Sequence, residues 1–408
     1  MRVIVIGGGA SGLMAAYSAA QNAHDVLLLE KNEKLGKKIY ITGKGRCNLT
    51  NDCPPEEFLQ SVVRGGKFLT GAIYGFPPAR MMAFLEEQNL SLKVERGNRV
   101  FPMSDHASDV TKALERACRS VGVKIHLNET VEGILVEGGA VSGVKTNKGT
   151  YECEVAIVAT GGVSYPATGS TGDGYRFAKE AGHCLIECVP SLVGLNLKGN
   201  SVQQGISLKN VVLTAKHNGK VVSSEMGELL FTHYGISGPL VLTLSAKINR
   251  LAMKEVSLHL DLKPALDEKK LDARLLRDFE ERKNEDLKNV MRGLLPAALV
   301  LPILDRAKVM ASKKANSVTR EERARIIRTL KDYTLIPESL RGFDEAVVTS
   351  GGVELKEVDP KTMESKLVKG LRFCGEVLDV DAYTGGFNLQ IAFSTGFAAG
   401  NIKNSQYA

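Results

Sequence analysis

The 408-residue sequence contains no apolar run that approaches the roughly 20 residues of a membrane-spanning helix. Its first apolar segment leads directly into glycines, where the hydrophobic region of a signal peptide would continue. We therefore expect a cytoplasmic protein without a membrane anchor or secretion signal. Hydrophobic residues make up 43% of the chain and charged residues 24%, which is typical of a globular protein with two or three domains.

The sequence has seven cysteines but no C-x-x-C pair. An odd number of cysteines without metal-ligand spacing predicts reduced thiols rather than a disulfide framework. Cys184 and Cys188 are one helical turn apart, but a zinc pair needs two further ligands nearby, so we predict no metal site. The chain also lacks internal repeats and low-complexity segments.

The net charge of +7 is unevenly distributed. Residues 263–332 contain 18 Lys or Arg and 12 Asp or Glu, so they hold six of the seven excess positive charges. We interpret this segment as a helical subdomain with a mixed-charge, solvated surface. The alternative is attraction of an anionic substrate or a nucleic acid. The interleaved charges and scarce aromatics argue against a platform on which bases stack.

The first thirty residues contain the pattern around which the rest of the chain is organised. The apolar run Val3–Ile6 predicts a strand buried on both faces, and the glycine-rich sequence GGGASG follows it. Small apolar residues then continue at helical spacing to Ala20, and a second apolar run, Val26–Leu29, ends at Glu30. This order of strand, glycine turn, helix, strand and acid is that of a dinucleotide-binding site.

Each part of this pattern has a physical role. Gly7 permits the tight turn, Gly9 lets backbone approach a pyrophosphate, and Gly12 lets the helix pack against the strand. The N-terminus of the helix offers unpaired N–H groups and a positive dipole to the phosphates. Glu30 lies 18 residues after Gly12, where a carboxylate accepts hydrogen bonds from ribose hydroxyls.

The sequence lacks a second glycine fingerprint that would hold NADH or NADPH. The nearest match, residues 138–143, has alanine where the second glycine is required. A single nucleotide-binding domain, an antiparallel meander near residues 130–153 and a C-terminal strand and helix that return to the site favour FAD as the resident cofactor. In such folds a strand near Val131 passes the adenine.

The pattern of elements predicts one nucleotide-binding domain that both ends of the chain complete. Several finer predictions follow from capping and composition. Residues 31–51 form a functional loop that is too glycine-rich for a helix. Ser104 caps a helix over 105–120, and a helical, charged segment runs from Pro264 to Leu335. The predicted domains are 1–187 and 343–408 for the FAD-binding domain, 188–262 for a β-barrel-like subdomain, and 263–342 for a helical subdomain.

Five long motifs give the chain a specific resemblance. They are GGGASGLMAA, TGKGRCNLTN, ATGGVSYPATGSTGDGYRFAKEAGH, ELLFTHYGISGPLVLTLS and FCGEVLDVDAYTGGFNLQIAFSTGFAAG. Together they resemble the BaiN-like (YhiN-like) flavoproteins, also labelled aminoacetone oxidases, and more distantly the fumarate reductase flavoproteins. The resemblance implies an α/β fold of the two-dinucleotide-binding-domain type, with non-covalent FAD and an inserted β-barrel plus α-helical subdomain.

The resemblance also implies the residues that bind FAD, segment by segment. The pyrophosphate is assigned to the glycine turn, the adenosine ribose to the end of the second strand, and the ribityl chain and flavin ring to later loops and the last helix. The residues so assigned are Gly7, Gly9, Ala10, Ser11, Gly12, Glu30, Lys31, Thr42, Gly43, Arg46, Cys47, Asn48, Thr160, Gly161, Gly162, Glu376, Asp379, Gly386, Phe387, Asn388 and Leu389.

Candidates on the substrate side come from a polar stretch in the inserted segment. His233, with Thr232 and Ser237, interrupts apolar strand sequence, and an imidazole there can transfer a proton during flavin chemistry. The alternative is a buried histidine that satisfies backbone groups. Segments 99–102 and 165–166 line the pocket or form a strand end and a turn. Cys47 is an alternative redox thiol.

We expect an FAD-dependent oxidoreductase that acts on a small molecule. The first hypothesis is reduction of an enone, steroid-like or other small organic substrate with NADH or NADPH as a transient electron donor. The second is an oxygen-using oxidase of a small amine or aminoketone. The third is a flavin-containing protein that binds or modifies RNA, although we expect no nucleic-acid partner. The sequence does not predict an oligomeric state.

Overall fold

The computed structural model describes residues 1–199 and 204–403 of the chain. The chain divides into two compact units. The first unit contains Met1–Ser191 and the segment from Phe343 onward, and the second unit is Leu192–Gly342. The sequence places these two boundaries after residues 187 and 342. Within the described ranges, no helix has the length and apolar character required to cross a membrane.

The N-terminal part of the first unit carries most of its strands and helices. The strands are β1 (Arg2–Ile6), β2 (Asp25–Leu29), β3 (Thr50–Asn51), β4 (Val62–Arg64), β5 (Leu92–Glu95), β6 (Arg99–Pro102), β7 (Lys124–His126), β8 (Val131–Glu137), β9 (Ala140–Thr146), β10 (Gly149–Glu152), β11 (Val155–Val158) and β12 (Leu185–Ser191). The helices are α1 (Ala10–Gln21), α2 (Lys37–Ile41), α3 (Pro55–Gln60), α4 (Gly66–Gly75), α5 (Pro78–Glu87), α6 (Ala107–Ser120) and α7 (Asp173–Glu180).

The second unit follows, and the chain then returns to the first. The strands of the second unit are β13 (Leu195–Leu197), β14 (Ser207–His217), β15 (Lys220–Phe231), β16 (Gly235–Ser237), β17 (Val256–Asp261), β18 (Tyr333–Leu335) and β19 (Pro337–Leu340). Its helices are α8 (Pro239–Ile248), α9 (Glu268–Glu281), α10 (Leu287–Met291), α11 (Ala297–Arg306) and α12 (Arg320–Lys331). The returning segment adds β20 (Val348–Val353), β21 (Leu371–Phe373), β22 (Asp381–Ala382) and α13 (Phe387–Gly400).

A five-stranded parallel sheet in the order β21-β11-β1-β2-β7 forms the centre of the first unit. In its register Val5 pairs with Ile157 on one side and with Leu28 on the other. The four apolar residues of β1 are buried, as continuous apolar runs predict for strands covered on both faces. Because parallel strands end at one edge of the sheet, the loops after β1, β2, β11 and β21 converge there. The predicted α/β, Rossmann-like fold class is confirmed.

The second unit is built on a seven-stranded antiparallel sheet in the order β18-β17-β14-β15-β16-β13-β19. Only Ile336 separates β18 from β19, although these strands occupy opposite ends of the order. The sheet must therefore curl until its two edges are neighbours, which produces a barrel-like form. Leu213 of the sheet and Leu271, Leu299 and Ile326 of the helices belong to one hydrophobic core.

The structure corrects three predicted elements. The helical segment predicted to continue to Leu335 ends at Lys331, and residues 333–340 supply two strands of the barrel-like sheet. Helix α6 begins at Ala107 rather than at Asp105, because Asp105 has left-handed backbone (φ 58°) and Ser104 bonds Asp109 instead of capping. The segment after Glu30, predicted to be a loop without helix, contains the short helix α2. The lysines and glycines of this segment gave no helical pattern.

Candidate functional site

The glycines after β1 divide into two kinds according to what surrounds them. A Cβ atom on Gly7, which has φ 105°, would lie 2.6 Å from the Ala159 carbonyl oxygen, and one on Gly12 would lie 1.8 Å from the Gly7 carbonyl oxygen. A Cβ on Gly9 would meet no atom within 4 Å. Packing within the protein therefore requires Gly7 and Gly12, whereas Gly9 faces open space that a ligand can enter.

This open space lies at the N-terminus of α1. Gly9 is the N-cap residue and has no side chain to offer the first turn of the helix. The first turn contains no acidic residue that would compensate the helix dipole. The combination of free N–H groups, positive dipole and space suits a phosphate group.

Glu30 connects the glycine turn to the end of β2. Its carboxylate accepts hydrogen bonds from Gly8 N at 2.7 Å and from Asn32 N and Nδ2 at 2.8 and 2.7 Å. A carboxylate has about four acceptor sites, so capacity for ribose hydroxyls remains. Glu129 N donates to the Glu30 carbonyl at 3.0 Å, which brings the start of β8, at Val131, towards this edge.

Lys31, predicted to hold the ribose, forms an ion pair in the structure. Its ammonium group lies 2.7 Å from Asp173 and 2.6 Å from the Thr171 hydroxyl. Both partners belong to the TGDG motif that begins α7. The lysine thus ties this motif to the end of β2, and its charge is compensated before any ligand binds.

The loop from Thr42 to Asn48 has an unusual backbone. Gly43, Lys44, Gly45 and Cys47 all have left-handed φ angles, between 57° and 86°. The Thr42 hydroxyl donates to the Ile39 carbonyl at 2.7 Å. Strained backbone of this kind persists where the surroundings fix it, and it is concentrated at binding sites.

Cys47 and Asn48 fix the end of this loop. Burial raises the pKa of the Cys47 thiol to about 12, although the Thr42 hydroxyl opposes the rise. A thiol with so high a pKa is a poor nucleophile, which weighs against the redox alternative. The Asn48 amide donates to the Thr50 carbonyl at 3.1 Å and accepts from Gly386 N at 3.0 Å. Asn48 therefore connects the loop to the N-terminus of α13.

The Arg46 side chain binds carboxylates within the first unit. Its guanidinium donates to Asp105 at 2.8 Å and pairs with Glu95, and it lies 4.2 Å from the centre of the Phe101 ring. The two carboxylates raise the pKa of the guanidinium above its ordinary value. Arg46 therefore anchors the loop to Glu95 of β5 and to Asp105.

Glu376, just after β21, binds groups from α2, from the loop after β11 and from β20. Its carboxylate accepts from Lys38 Nζ at 2.6 Å, from the Ser164 hydroxyl at 2.9 Å and from Thr349 N at 2.7 Å. A side chain on Gly162 would clash here, because its Cβ would lie 2.5 Å from the Thr349 hydroxyl. Sequence reasoning found Gly162 and Glu376 but missed Lys38, since no motif joins residues 338 positions apart.

Two further predicted residues lie at the same edge. The Thr160 hydroxyl, beside Gly161, is buried and has no hydrogen-bond partner in the part of the chain that the structure describes. Such a group fits a site that a polar ligand completes. The Asp379 carboxylate is bound by Arg64 through two hydrogen bonds, at 2.9 and 2.6 Å. Asp379 therefore holds β4 in place whether or not it also contacts a cofactor.

The N-terminus of α13 is a second helix end directed at this region. Gly386 has φ 97°, and a Cβ there would lie 2.3 Å from the Thr50 carbonyl oxygen. The Asn388 amide bonds the backbone of Ala382 at 3.0 and 2.8 Å, which fixes the segment before the helix. Phe387 packs edge-on against Phe58, with ring centres 5.2 Å apart, and Leu389 packs partly buried against the core.

Close packing fixes the relation between α1 and α13. A Cβ on Gly396 would lie 2.3 Å from the Ser11 carbonyl oxygen, and one on Gly400 would lie 2.1 Å from the Ala15 carbonyl oxygen. The two helices therefore run in the same direction with their backbones in contact. Counting back from this contact, α13 begins about 12 Å before α1, at a rise of 1.5 Å per residue.

These positions fit FAD. The N-terminus of α1 beside the open space at Gly9 suits the pyrophosphate. The N-terminus of the neighbouring α13, offset by about 12 Å along the helix direction, suits a ring that carries negative charge. Glu30 lies at the end of β2, and the Thr160 hydroxyl, which has no partner among the described residues, lies after β11 at the same edge of the sheet. The glycine turn, Glu30, Thr160 and Glu376 follow strands of the parallel sheet that end at one edge, whereas the side chains of Arg46, Lys31 and Asp379 have protein partners. The assignment of these residues to the cofactor stays a prediction.

The predicted catalytic residues belong to the second unit. His233 is exposed, and its ring packs edge-on against Tyr234 with ring centres 5.1 Å apart. Thr232 and Gly235 exchange hydrogen bonds across this turn, and Ser237 is partly buried in β16. The alternative of a buried histidine that satisfies backbone groups is wrong. The catalytic assignment of the three residues stays a prediction.

Comparison with known proteins gives relatives that span nearly the whole chain. A 3-dehydro-bile acid delta(4,6)-reductase of Clostridium scindens is 32% identical, and the alignment spans 98% of each chain. A ribosomal RNA dihydrouridine synthase of Haemophilus influenzae is 31% identical, over 97% of this chain and 96% of that protein.

A solved structure supports the same fold. The 3-ketosteroid-Δ4-(5α)-dehydrogenase of Rhodococcus jostii superimposes with a TM-score of 0.54 over 98% of this chain and 95% of that one, at 15% identity. The family described as HI0933-like protein Rossmann domain matches residues 1–402. The resemblance to the BaiN-like flavoproteins is confirmed, and the chain belongs to the HI0933-like Rossmann-domain family.

Proposed function

We propose that this chain, an FAD-dependent oxidoreductase, reduces a carbon–carbon double bond conjugated to a carbonyl group in a steroid-like or other small organic substrate. NADH or NADPH is the proposed electron donor. The observation that carries the proposal is the full-length similarity to the bile acid reductase, together with a first unit whose geometry fits FAD.

The names of the two relatives describe related chemistry. A 3-dehydro steroid with double bonds at positions 4 and 6 is a conjugated ketone, and uridine carries a double bond conjugated to a ring carbonyl. Each reduction adds a hydride to the carbon remote from the carbonyl and a proton to the nearer carbon. A shared reaction on different substrates is consistent with an almost equal identity of this chain to both proteins.

Residues of this chain bind FAD and deliver the proton. When bound, FAD supplies the two-electron chemistry. Gly9 and the N-terminus of α1 hold its pyrophosphate, Glu30 holds its adenosine ribose, and the N-terminus of α13 favours negative charge on its ring. A side chain must also deliver a proton to the substrate carbon, and His233 is the proposed donor.

The first test separates the electron donor from the substrate. Under anaerobic conditions, NADH or NADPH should bleach the flavin band at about 450 nm faster than buffer does. The reduced protein should then be reoxidised by a 4-ene-3-ketosteroid but not by the matched saturated ketosteroid. Failure of both nicotinamides would refute the reductase proposal, and oxygen consumption with aminoacetone would then support the oxidase alternative.

Reduction of uridine in ribosomal RNA is a second candidate, which the 31% identical relative favours. The charges of the second unit weigh against an extended RNA-binding surface. Many of its cations are paired with acids, including Arg274 with Asp278, Lys313 with Glu322 and Arg323 with Asp272.

Parallel reactions with each substrate decide between them. The reduced protein is mixed with ribosomal RNA or with the steroid enone, and dihydrouridine and reduced steroid are measured by mass spectrometry. Dihydrouridine without steroid reduction would establish the RNA activity and overturn the small-molecule proposal. RNA binding that weakens steeply with added salt would support the same conclusion.

A further inference from the structure

A buried carboxylate outside the predicted FAD residues joins three strands of the first unit. Asp381 lies in β22, which pairs with β4, and its side chain is fully buried. Its carboxylate accepts hydrogen bonds from the Ser191 hydroxyl at 2.8 Å and from the Ser350 hydroxyl at 3.3 Å. We call Asp381, Ser191 and Ser350 the Asp381 clasp.

The clasp lies where the chain leaves the first unit and returns to it. Ser191 ends β12 and is the last residue before the second unit, and Ser350 belongs to β20, which follows the return. The two strands pair antiparallel. Leu192, next to the clasp, is fully buried and has left-handed backbone (φ 55°), a costly conformation for a leucine.

In the part of the chain that the structure describes, no Lys, Arg or His side chain is hydrogen-bonded to the Asp381 carboxylate. Arg64, the nearby cation on β4, forms two hydrogen bonds with Asp379 instead. The groups that β12 and β20 direct at Asp381 are the uncharged hydroxyls of Ser191 and Ser350. Burial raises the pKa of the Asp381 carboxyl group to about 6. The two serines and Arg64 oppose this rise, and Asp379 adds to it. Buried charges without a direct partner are costly, so this group is a candidate for a role beyond packing.

The clasp is also coupled to the entry of α13. Ala382, the next residue, exchanges two hydrogen bonds with the Asn388 side chain in the first turn of that helix. Any movement of β22 away from β12 and β20 therefore changes the segment that positions the N-terminus of α13.

We propose that Asp381 is a positioning residue that holds the chain junction and the entry of α13 together while its carboxyl group is protonated, and that the clasp loosens when the group ionises. The part concerning FAD rests on the proposed function, because it assumes that α13 faces the flavin. Ionisation favours the open form since a charge is better solvated outside the protein. An exposed carboxyl group titrates near 4, so raising the pH from 5 to 8 should increase the open population by roughly 10-fold.

Hydrogen–deuterium exchange of the intact protein tests the clasp directly. We expect peptides covering 185–191 and 348–353 to lose protection as the pH rises through about 6, after correction for intrinsic exchange, while α1 does not. Asp381→Asn should abolish this pH dependence. Ser191→Ala and Ser350→Ala should move its midpoint to higher pH, because each removes a donor that favours the ionised form.

The matched control is Ser18→Ala, which removes another buried serine hydroxyl, bonded to the Phe397 carbonyl, and should leave the midpoint unchanged. Release of FAD on dilution should increase with pH in the wild type and in the control but not in Asp381→Asn. The exchange measurement uses no nicotinamide and no substrate, so it succeeds or fails independently of the proposed reaction. The same pH dependence in Asp381→Asn as in the wild type, or none in the wild type, would overturn the clasp.

Discussion

At the scale of single residues, Gly9 differs from its neighbours because nothing in the protein requires its lack of a side chain. Its φ is −84°, which any residue adopts, and its Cβ direction is open. Gly9→Leu should therefore change the free energy of unfolding of the apoprotein by no more than about 0.5 kcal/mol. It should nevertheless yield colourless protein, since the side chain occupies the space of the pyrophosphate.

The matched control for Gly9 is Gly75→Leu at the end of α4, where the Cβ direction is also open. This variant should stay yellow. Absorbance and thermal melting of both purified proteins check the prediction, and a Gly9→Leu protein with stoichiometric FAD would mean that the fingerprint has been placed wrongly.

Glu30 has two roles in the structure, and a substitution should affect both. Glu30→Ala should weaken FAD binding by about 1–3 kcal/mol, the range for a hydrogen bond to a charged group. It should also destabilise the apoprotein, because Gly8 N loses its acceptor. Titration of apoprotein with FAD and melting of the apoprotein measure the two effects, with the exposed Glu33→Ala as control. Unchanged FAD affinity would move the ribose contact to another residue.

His233 is exposed, so its replacement should cost little stability. If it donates the proton, His233→Asn should slow substrate-dependent reoxidation of the flavin by about 10²–10⁴-fold. Reduction of the flavin by NADH or NADPH should continue at the wild-type rate. His217→Asn, a change of the same kind on β14, is the control. Full activity of a stable His233→Asn protein would remove this residue from the site.

At the scale of elements, the contact between α1 and α13 sets the position of both helix N-termini. Gly396→Ala places a methyl group 2.3 Å from a carbonyl oxygen, so the helices must separate. We expect a loss of about 1–3 kcal/mol of unfolding free energy, typical of overpacking, together with weaker FAD binding. Gly75→Ala is the control. Retention of both properties in Gly396→Ala would show that the crossing tolerates a wider spacing.

The sequence predicts these elements unequally well, and for physical reasons. Strands β1 and β2 were predicted because strands buried on both faces are continuous apolar runs. The short strands β18 and β19 were missed, since three or four residues beside a charged helix show no period. Lys38 was missed for another reason: its partners, Ser164 and Glu376, are distant in sequence, and only the folded chain brings them together.

At the scale of the whole molecule, Asp381 should make the free energy of unfolding depend on pH. Its pKa is raised from 3.8 to about 6 by burial, so the folded state binds its proton more tightly than the unfolded state does. This contribution is fully present below pH 4 and is lost as the pH rises through 6, by roughly 3 kcal/mol at 1.36 kcal/mol per pH unit.

Asp381→Asn removes the pH-dependent part of this contribution, because the amide does not titrate. Denaturant unfolding of both proteins between pH 4 and 8 should show the variant gaining stability relative to the wild type as the pH rises to about 6, with a constant difference above that value. A difference that does not vary with pH would mean that the carboxyl group titrates normally.

The pairing of α1 with α13 also has a consequence for synthesis of the protein. The residues of α13 leave the ribosome about 375 positions after those of α1, a delay on the order of 20 to 80 s at typical elongation rates. Until then the small-residue face of α1 has no partner, while the second unit, continuous in sequence, is already complete. Nascent chains should therefore carry a finished second unit for some time before they can retain any flavin.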